Sequence, residues 1–124
     1  MLVDSHCHLD HLDLTDREGG LNAVIADAEA QGITQFLSVA VDIPTSASLV
    51  DLTAQHSNIY SSVGVHPLQK IDQPVPSVEQ LVVLANAPKV IAIGETGLDN
   101  FYSADTHRWQ RDSFINHLQA SQQT

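Results

Sequence analysis

Short apolar runs alternate along the chain with longer segments whose apolar residues recur at helical spacing. The runs at residues 2–5, 35–41, 59–65 and 90–94 predict four β-strands. Helical spacing predicts helices over residues 17–31 and 44–55, a third that begins at Ser77 and a fourth from about Ala104 onward. Because strands and helices alternate and no hairpin signal separates the strands, the pattern predicts a parallel sheet with helices outside it.

Residues at the predicted helix ends support these boundaries. Gly32 follows the first helix where a C′ glycine belongs, and Pro44 suits the first turn of the second. Asp42 is a candidate cap for that second helix. Ser77 and Gln80 form a capping-box pattern ahead of the third. The chain ends without a helix-stop signal, at a point where the alternation would bring a fifth strand.

The composition is that of a globular chain. With 124 residues, of which 43% are apolar and 16% charged, residues 1–124 form one domain or a piece of one. The net charge of −10 and the five Lys and Arg residues exclude the basic stripe of a typical duplex-binding protein. A protein of this charge would need something other than its own cations, such as a divalent metal, to hold phosphates.

The single cysteine and the N-terminus bear on the compartment. One cysteine cannot form an intramolecular disulfide, which fits a reducing environment. The start MLVDSHCHLD lacks the basic and apolar regions of a signal peptide. No apolar run is long enough to span a bilayer, so we expect a cytoplasmic protein with no membrane partner.

The stretch DSHCHLD, residues 4–10, is the first candidate for chemistry. Side chains two residues apart on a strand point to the same face, so His6 and His8 project together while Cys7 turns away, toward a helix. Two neutral imidazoles can bind one Zn, Fe or Ni ion. The alternative is that each histidine is only a hydrogen-bonded polar residue at a strand end.

Two further candidates follow the third and fourth strands. His66 lies in GVHP and Glu95 in GETGLD. In parallel α/β folds the C-terminal ends of the strands and the loops after them form the active site. We therefore expect Glu95 at the same level as His6 and His8, where a carboxylate could bridge two metal ions. Taken alone, Glu95 could equally be a solvated loop acid beside turn-forming glycines.

The remaining polar residues have simpler explanations. His107 and His117 fall on the fourth helix, where we expect them at the surface or supporting the site from behind. A solvated loop accounts for the three residues that follow the first motif, which are Asp10, His11 and Asp13.

Together, DSHCHLD, GVHPL and GETGLD resemble the TatD family of metal-dependent hydrolases, within the amidohydrolase superfamily. The order and spacing of the three motifs match, and FYSADTHRWQRDSFINHLQAS is similar to the family's next helix, including Gln110 and Phe114. His-x-His alone is unspecific, whereas GETGLD is much more specific. The resemblance implies a TIM-barrel fold of class α/β, of which this chain holds the first four βα units of a (β/α)8 barrel.

The resemblance also implies an activity and a set of roles. It implies hydrolysis of phosphodiester bonds, with DNA the usual substrate, by metal-activated water. It places a divalent ion (Mg, Mn or Zn, two per complete site) on His6, His8 and Glu95, with Glu95 bridging to the second ion as the catalytic carboxylate. His66 would lie at the rim and bind substrate phosphate.

The chain departs from the family in length. An eight-stranded barrel needs about 250 residues, and the resemblance implies that two histidine ligands and a catalytic aspartate lie beyond Thr124. The edge strands and several helix flanks would then expose apolar side chains. We consider a truncated product, a fragment, or a half that pairs with a missing C-terminal half or with a second copy of itself.

Three functions therefore remain open from the sequence. The first is a TatD-type deoxyribonuclease. The second is a truncated, catalytically incompetent remnant with residual metal binding through His6, His8 and Glu95. The third is an amidohydrolase acting on amide or lactone bonds, which GETGLD disfavours.

Overall fold

Strands and helices alternate as the apolar pattern predicts. The computed structural model describes residues 1–68, 73–102 and 106–124. Within this part, the strands are β1 (Leu2–Cys7), β2 (Ile33–Ser38), β3 (Ile59–Val63) and β4 (Val90–Ile93). The helices are α1 (Gly20–Ala30), α2 (Ile43–Ala54), α3 (Val78–Ala85) and α4 (His107–Ser121). A short 3₁₀ helix, Leu9–His11, directly follows β1, and no apolar pattern signalled it.

The sheet is parallel, and its strands lie in the order β1-β2-β3-β4. Each strand therefore pairs with the next one along the chain through a helical crossover. Because such crossovers are right-handed in nearly all proteins, adding strands in one direction places their helices on one face of the sheet. This is the arrangement of half a (β/α)8 barrel, and it confirms the predicted fold class.

The hydrophobic core lies between the sheet and its helices. One buried cluster joins Ile25 of α1 to Phe36 of β2 and Ile59 of β3, and Leu9 after β1 completes it. Leu81 of α3 is fully buried as well. The buried contacts with β2 and β3 thus hold α1 against the sheet. Each Å² of apolar surface removed from water contributes about 25 cal/mol to the stability of the fold.

The outer strands keep apolar side chains exposed, as expected for half a barrel. Leu2 and Val3 of β1 are 61% and 59% exposed, and Ile91 of β4 is 60% exposed. On α4, Leu118 is 50% exposed. No helix in the described ranges is long and apolar enough to cross a membrane.

The capping signals acted as predicted, with one shift in a boundary. Asp42 caps α2, and Ser77 caps α3 in a capping box with Gln80. The first helix begins at Gly20, three residues later than the predicted start at residue 17. The cause is the backbone of Gly19 and Gly20, whose φ values of +82° and +54° are left-handed, so a right-handed helix cannot run through them from residue 17.

The fourth helix begins at His107 in the structure. The predicted start near Ala104 falls outside the described residues. Three strands, β2, β3 and β4, end one to three residues before their predicted ends. The first strand, β1, ends two residues after its predicted end and therefore includes His6.

A close backbone approach joins the segments that follow β3 and β4. A Cβ atom placed on Gly64 would lie 2.5 Å from the carbonyl carbon of Gly94, a distance that side chains do not tolerate. Gly94 also donates its N–H to the Val63 carbonyl at 2.8 Å. Glycine at position 64 is therefore what lets the GVHP and GETG segments lie against each other.

Substitution of Gly64 by alanine should separate these segments. We expect Gly64→Ala to lower the free energy of unfolding by about 1–3 kcal/mol, the usual cost of overpacking, in urea denaturation followed by circular dichroism. Gly94→Ala is the matched control, because its Cβ would meet only the Thr96 nitrogen, at 3.8 Å. Equal losses for both variants would contradict this explanation.

Candidate metal centre

The three motifs converge at the C-terminal edge of the sheet. His6 lies at the end of β1 and His8 directly after it, while His66 and Glu95 follow β3 and β4. Parallel strands end at the same edge, so residues that are distant in the sequence become neighbours there. The structure thus brings together all four residues that the sequence singled out.

Two imidazoles and one carboxylate are arranged to share a cation. Ligand atoms of His6, His8 and Glu95 all lie within 4.8 Å of one another. Glu95 Oε2 lies 3.7 Å from His6 Nε2. The His6 and His8 rings are 5.3 Å apart between centroids and meet edge to face. Among the described residues, this is the group of three whose donor atoms suit a metal ion.

A hydrogen bond leaves the other ring nitrogen of His8 free for a ligand. Its Nδ1 lies 2.8 Å from the Val39 carbonyl oxygen, which can only accept. Nδ1 must therefore carry the proton, and in the neutral ring Nε2 then has a free lone pair. Metal-binding histidines are commonly oriented by such a bond from the second nitrogen.

His66 has the opposite tautomer. Its Nδ1 accepts a hydrogen bond from the Leu68 N–H at 3.0 Å, so the proton of the neutral ring is on Nε2. Nε2 lies 3.5 Å from Glu95 Oε1. His66 thus presents a donor toward negatively charged oxygen, which is the property needed to bind a phosphate rather than a cation.

Three successive carbonyl groups after β2 hold the site together. The Val39 carbonyl binds the His8 ring, the Ala40 carbonyl accepts the Glu95 N–H at 3.0 Å, and the Val41 carbonyl accepts the His66 N–H at 2.8 Å. The sequence showed only an apolar strand here. Backbone acceptors carry no residue-type signal, so sequence reasoning could not find them.

Cys7, between the two histidines, faces away from the site as predicted. It packs against the cluster of Leu9, Ile25, Phe36 and Ile59, and its thiol donates to the Leu37 carbonyl. Burial, together with the nearby negative charges of acidic residues, raises the pKa of the Cys7 thiol to about 12. The thiol of the metal-free chain is therefore protonated at neutral pH, and it lies against the core and not among the ligand atoms of the site.

The two histidines of α4 differ from each other. His107 is exposed, as one of the two expectations had it. His117 is 1% exposed and its Nε2 accepts the Val65 N–H at 2.9 Å, so it supports the site from behind and is not a surface residue.

Asp13 is exposed, as expected for a solvated segment. The same expectation is wrong for Asp10 and His11, which lie in the 3₁₀ helix. The His11 ring stacks on the His8 ring at 5.1 Å between centroids, and the Asp10 side chain, 16% exposed, lies 3.5 Å from His11 Nε2.

The donor set fits a divalent transition metal. Two imidazoles and a carboxylate suit Zn, Mn or Fe, and the hydrogen bond at His8 already orients one ligand. The side chains of His6 and Glu95 are 55% and 30% exposed, so an ion has access from solvent. His6, His8 and Glu95 could therefore hold the ion, while the donor set alone does not select one metal.

Comparison with known proteins identifies relatives of this chain. Residues 3–124 match the family model described as TatD related DNase. The chain is 42% identical over 118 residues to the uncharacterized metal-dependent hydrolase YcfH of Escherichia coli strain K12, covering 95% of this chain and 44% of that protein. It is 33% identical to the 3′-5′ ssDNA/RNA exonuclease TatD of Salmonella typhimurium, covering 77% of this chain and 37% of that one.

A solved structure shares the fold. The crystal structure of YJJV, a TatD homolog from Escherichia coli K12, superimposes with a TM-score of 0.84 at 25% sequence identity. The match covers 98% of this chain and 47% of that one. The chain therefore spans about half the length of the curated relatives and of the solved structure that it matches.

Metal binding should depend on all three proposed ligands. In calorimetric titrations with Mn²⁺ or Zn²⁺, we expect His6→Ala, His8→Ala and Glu95→Gln each to weaken binding by at least about 10-fold, since even outer residues of metal sites matter that much. His107→Ala is the control, because it removes an exposed imidazole outside this group. An unchanged affinity in the ligand variants would place the ion elsewhere.

The Cys7 thiol should react slowly in the folded, metal-free protein. Only the thiolate is nucleophilic, and a pKa of about 12 leaves little of it at pH 7. The greater intrinsic reactivity of a basic thiolate offsets part of this loss, so we expect labelling by iodoacetamide roughly 10- to 100-fold slower than for free cysteine. Rapid labelling that is not accelerated by urea would contradict the burial of this thiol.

Proposed function

We propose that this chain, which belongs to the family of TatD-related DNases, hydrolyses phosphodiester bonds of DNA at the site formed by His6, His8 and Glu95. The observation that carries the proposal is the convergence of these three side chains within 4.8 Å at the C-terminal edge of the sheet. The relative YcfH is named as a metal-dependent hydrolase, which agrees with a metal centre at this position.

Different residues would bind the metal ion and the substrate. His6 and His8 would hold the ion, with His8 oriented by the Val39 carbonyl. When bound, a divalent ion supplies Lewis acidity to the phosphoryl oxygens and lowers the pKa of the attacking water. The Glu95 carboxylate lies between the metal ligands and the substrate contact, since its Oε2 is close to His6 and its Oε1 is close to His66. It is the proposed catalytic carboxylate for that reason.

His66 is the proposed contact to substrate. Its Nε2–H is aimed at the region beside Glu95 and can donate to a phosphate oxygen without competing for the metal. A nuclease assignment is favoured by the name of one relative, the 3′-5′ ssDNA/RNA exonuclease TatD of Salmonella typhimurium.

A metal-binding chain without activity is the second candidate. It is favoured by length, because the chain spans 44% of its relative YcfH. It is also favoured by the site itself, because the described residues offer three ligands from His6, His8 and Glu95. This candidate requires metal binding and no cleavage.

Cleavage of single-stranded DNA tests the proposal. The 124-residue chain should shorten a fluorescently labelled oligonucleotide with Mg²⁺, Mn²⁺ or Zn²⁺ and stop on addition of EDTA. We expect His6→Ala and Glu95→Gln to lower the rate by at least about 100-fold, because several kcal/mol of charge stabilisation are lost with the ion. His66→Ala should cost about 10- to 100-fold, the value of one hydrogen bond to a charged group.

The controls separate the candidates. His107→Ala should cleave like the parent chain, since this imidazole is exposed and lies outside the group. Cleavage that survives both His6→Ala and Glu95→Gln would come from a contaminating nuclease and defeat the proposal. Metal binding without cleavage on single-stranded or duplex DNA would select the inactive metal-binding chain.

A further inference from the structure

We infer that His117 of α4 is a positioning residue: it holds the backbone before His66 so that the His66 imidazole faces Glu95. The inference rests on the proposed function of His66 as the substrate contact. His117 lies 52 positions from Val65 in the sequence, and its Nε2 accepts the Val65 N–H at 2.9 Å. Val65 directly precedes His66.

The segment after β3 is held from three directions. The Gly64 N–H donates to the Ser46 hydroxyl of α2 at 3.2 Å, and the His66 N–H donates to the Val41 carbonyl at 2.8 Å. The Val65 N–H, between them, donates to His117. Three successive N–H groups thus bind helix α2, helix α4 and the loop between β2 and α2. These bonds fix both the path of the backbone and the direction in which the His66 side chain leaves it.

Both ring nitrogens of His117 form hydrogen bonds. Nδ1 lies 2.7 Å from the Ser113 carbonyl oxygen and must donate to it, so Nε2 of the neutral ring is the acceptor for Val65. The side chain is 1% exposed, and burial lowers its pKa against the opposing effect of the Ser113 hydrogen bond. The imidazole therefore stays neutral at pH 7 and remains an acceptor.

The bond to Val65 does more than attach α4 to the fold. The helix is already attached elsewhere, because the Trp109 indole donates to the Gln73 carbonyl at 2.8 Å and the Asn116 amide donates to the Pro76 carbonyl at 2.9 Å. A neutral apolar residue would fill the same buried position. Such an apolar residue would leave the Val65 N–H, which precedes His66, without its hydrogen-bond partner. The acceptor nitrogen of His117 supplies that partner.

Two substitutions separate positioning from packing. His117→Leu keeps an apolar side chain of similar size and removes the acceptor. His117→Gln keeps an acceptor oxygen near the place of Nε2. Asn116→Leu is the matched control, because it removes a hydrogen bond of the same helix to a different segment.

Amide exchange and nuclear Overhauser effects of the metal-free chain provide the readout. In His117→Leu we expect the Val65 amide to exchange at least about 10-fold faster, with Val63 of β3 unchanged, because only local opening is made easier. The Overhauser contact between the His66 ring and the Glu95 side chain should disappear. His117→Gln and Asn116→Leu should keep both the protection of Val65 and that contact.

Several outcomes would overturn the inference. One is a protected Val65 and an intact His66–Glu95 contact in folded His117→Leu. A second is a loss in His117→Gln or Asn116→Leu as large as that in His117→Leu. The parent chain gives a test that needs no variant: a scalar coupling across the hydrogen bond between the Val65 nitrogen and His117 Nε2 should be detectable, and its absence contradicts the bond.

These readouts do not depend on metal or on cleavage. If the chain binds no metal and cuts no DNA but meets the expectations above, the proposed function fails and the positioning role stands. If it cleaves DNA through His6 and Glu95 while His117→Leu leaves the His66 segment unchanged, the proposed function stands and the positioning role fails.

Discussion

Three consecutive backbone carbonyls after β2 position three of the four residues of the candidate site. Those of Val39, Ala40 and Val41 bind the His8 ring, the Glu95 N–H and the His66 N–H. Each bond joins segments far apart in the sequence, and the three bonds together require β1, β3 and β4 to be aligned with β2 in the sheet. The candidate site therefore forms only on the correctly aligned parallel sheet, and a shift of one strand would break a bond of the site.

The backbone also decides what each histidine can do. His8 donates through Nδ1 to a carbonyl, which leaves Nε2 as a lone pair, whereas His66 accepts through Nδ1 from an N–H, which leaves a proton on Nε2. Two identical side chains at the same edge of the sheet thus differ: His8 offers a lone pair that suits a metal ion, and His66 offers an N–H that suits a negatively charged oxygen. The residue type alone does not predict which ring nitrogen carries the proton, because the hydrogen-bond partner of Nδ1 decides it.

Most of the fold was readable from the sequence, and so were the residues of the candidate site. Period and capping signals suffice for α2 and α3, where Asp42 and Ser77 bind the N–H groups of their own first turns. Prediction was weaker where a contact is long-range. The start of α1 moved because of the left-handed backbone at Gly19, and the need for glycine at position 64 arises from Gly94. The sequence left two interpretations of His117, at the surface or behind the site, and only its contact with the segment after β3 decides between them.

Charge sets the order in which a phosphate and a metal could bind. The chain carries a net charge of −10 with histidine counted as neutral, and the Glu95 carboxylate lies between the imidazoles of His6 and His66. Without an ion, the formal charge of His6, His8, His66 and Glu95 together is therefore negative, which disfavours a phosphodiester. A divalent cation would reverse the local sign, and bound ions are often the largest charges in such sites. Under the proposed function, substrate affinity then depends on prior metal binding, and the His66 donor adds direction to the attraction of the ion.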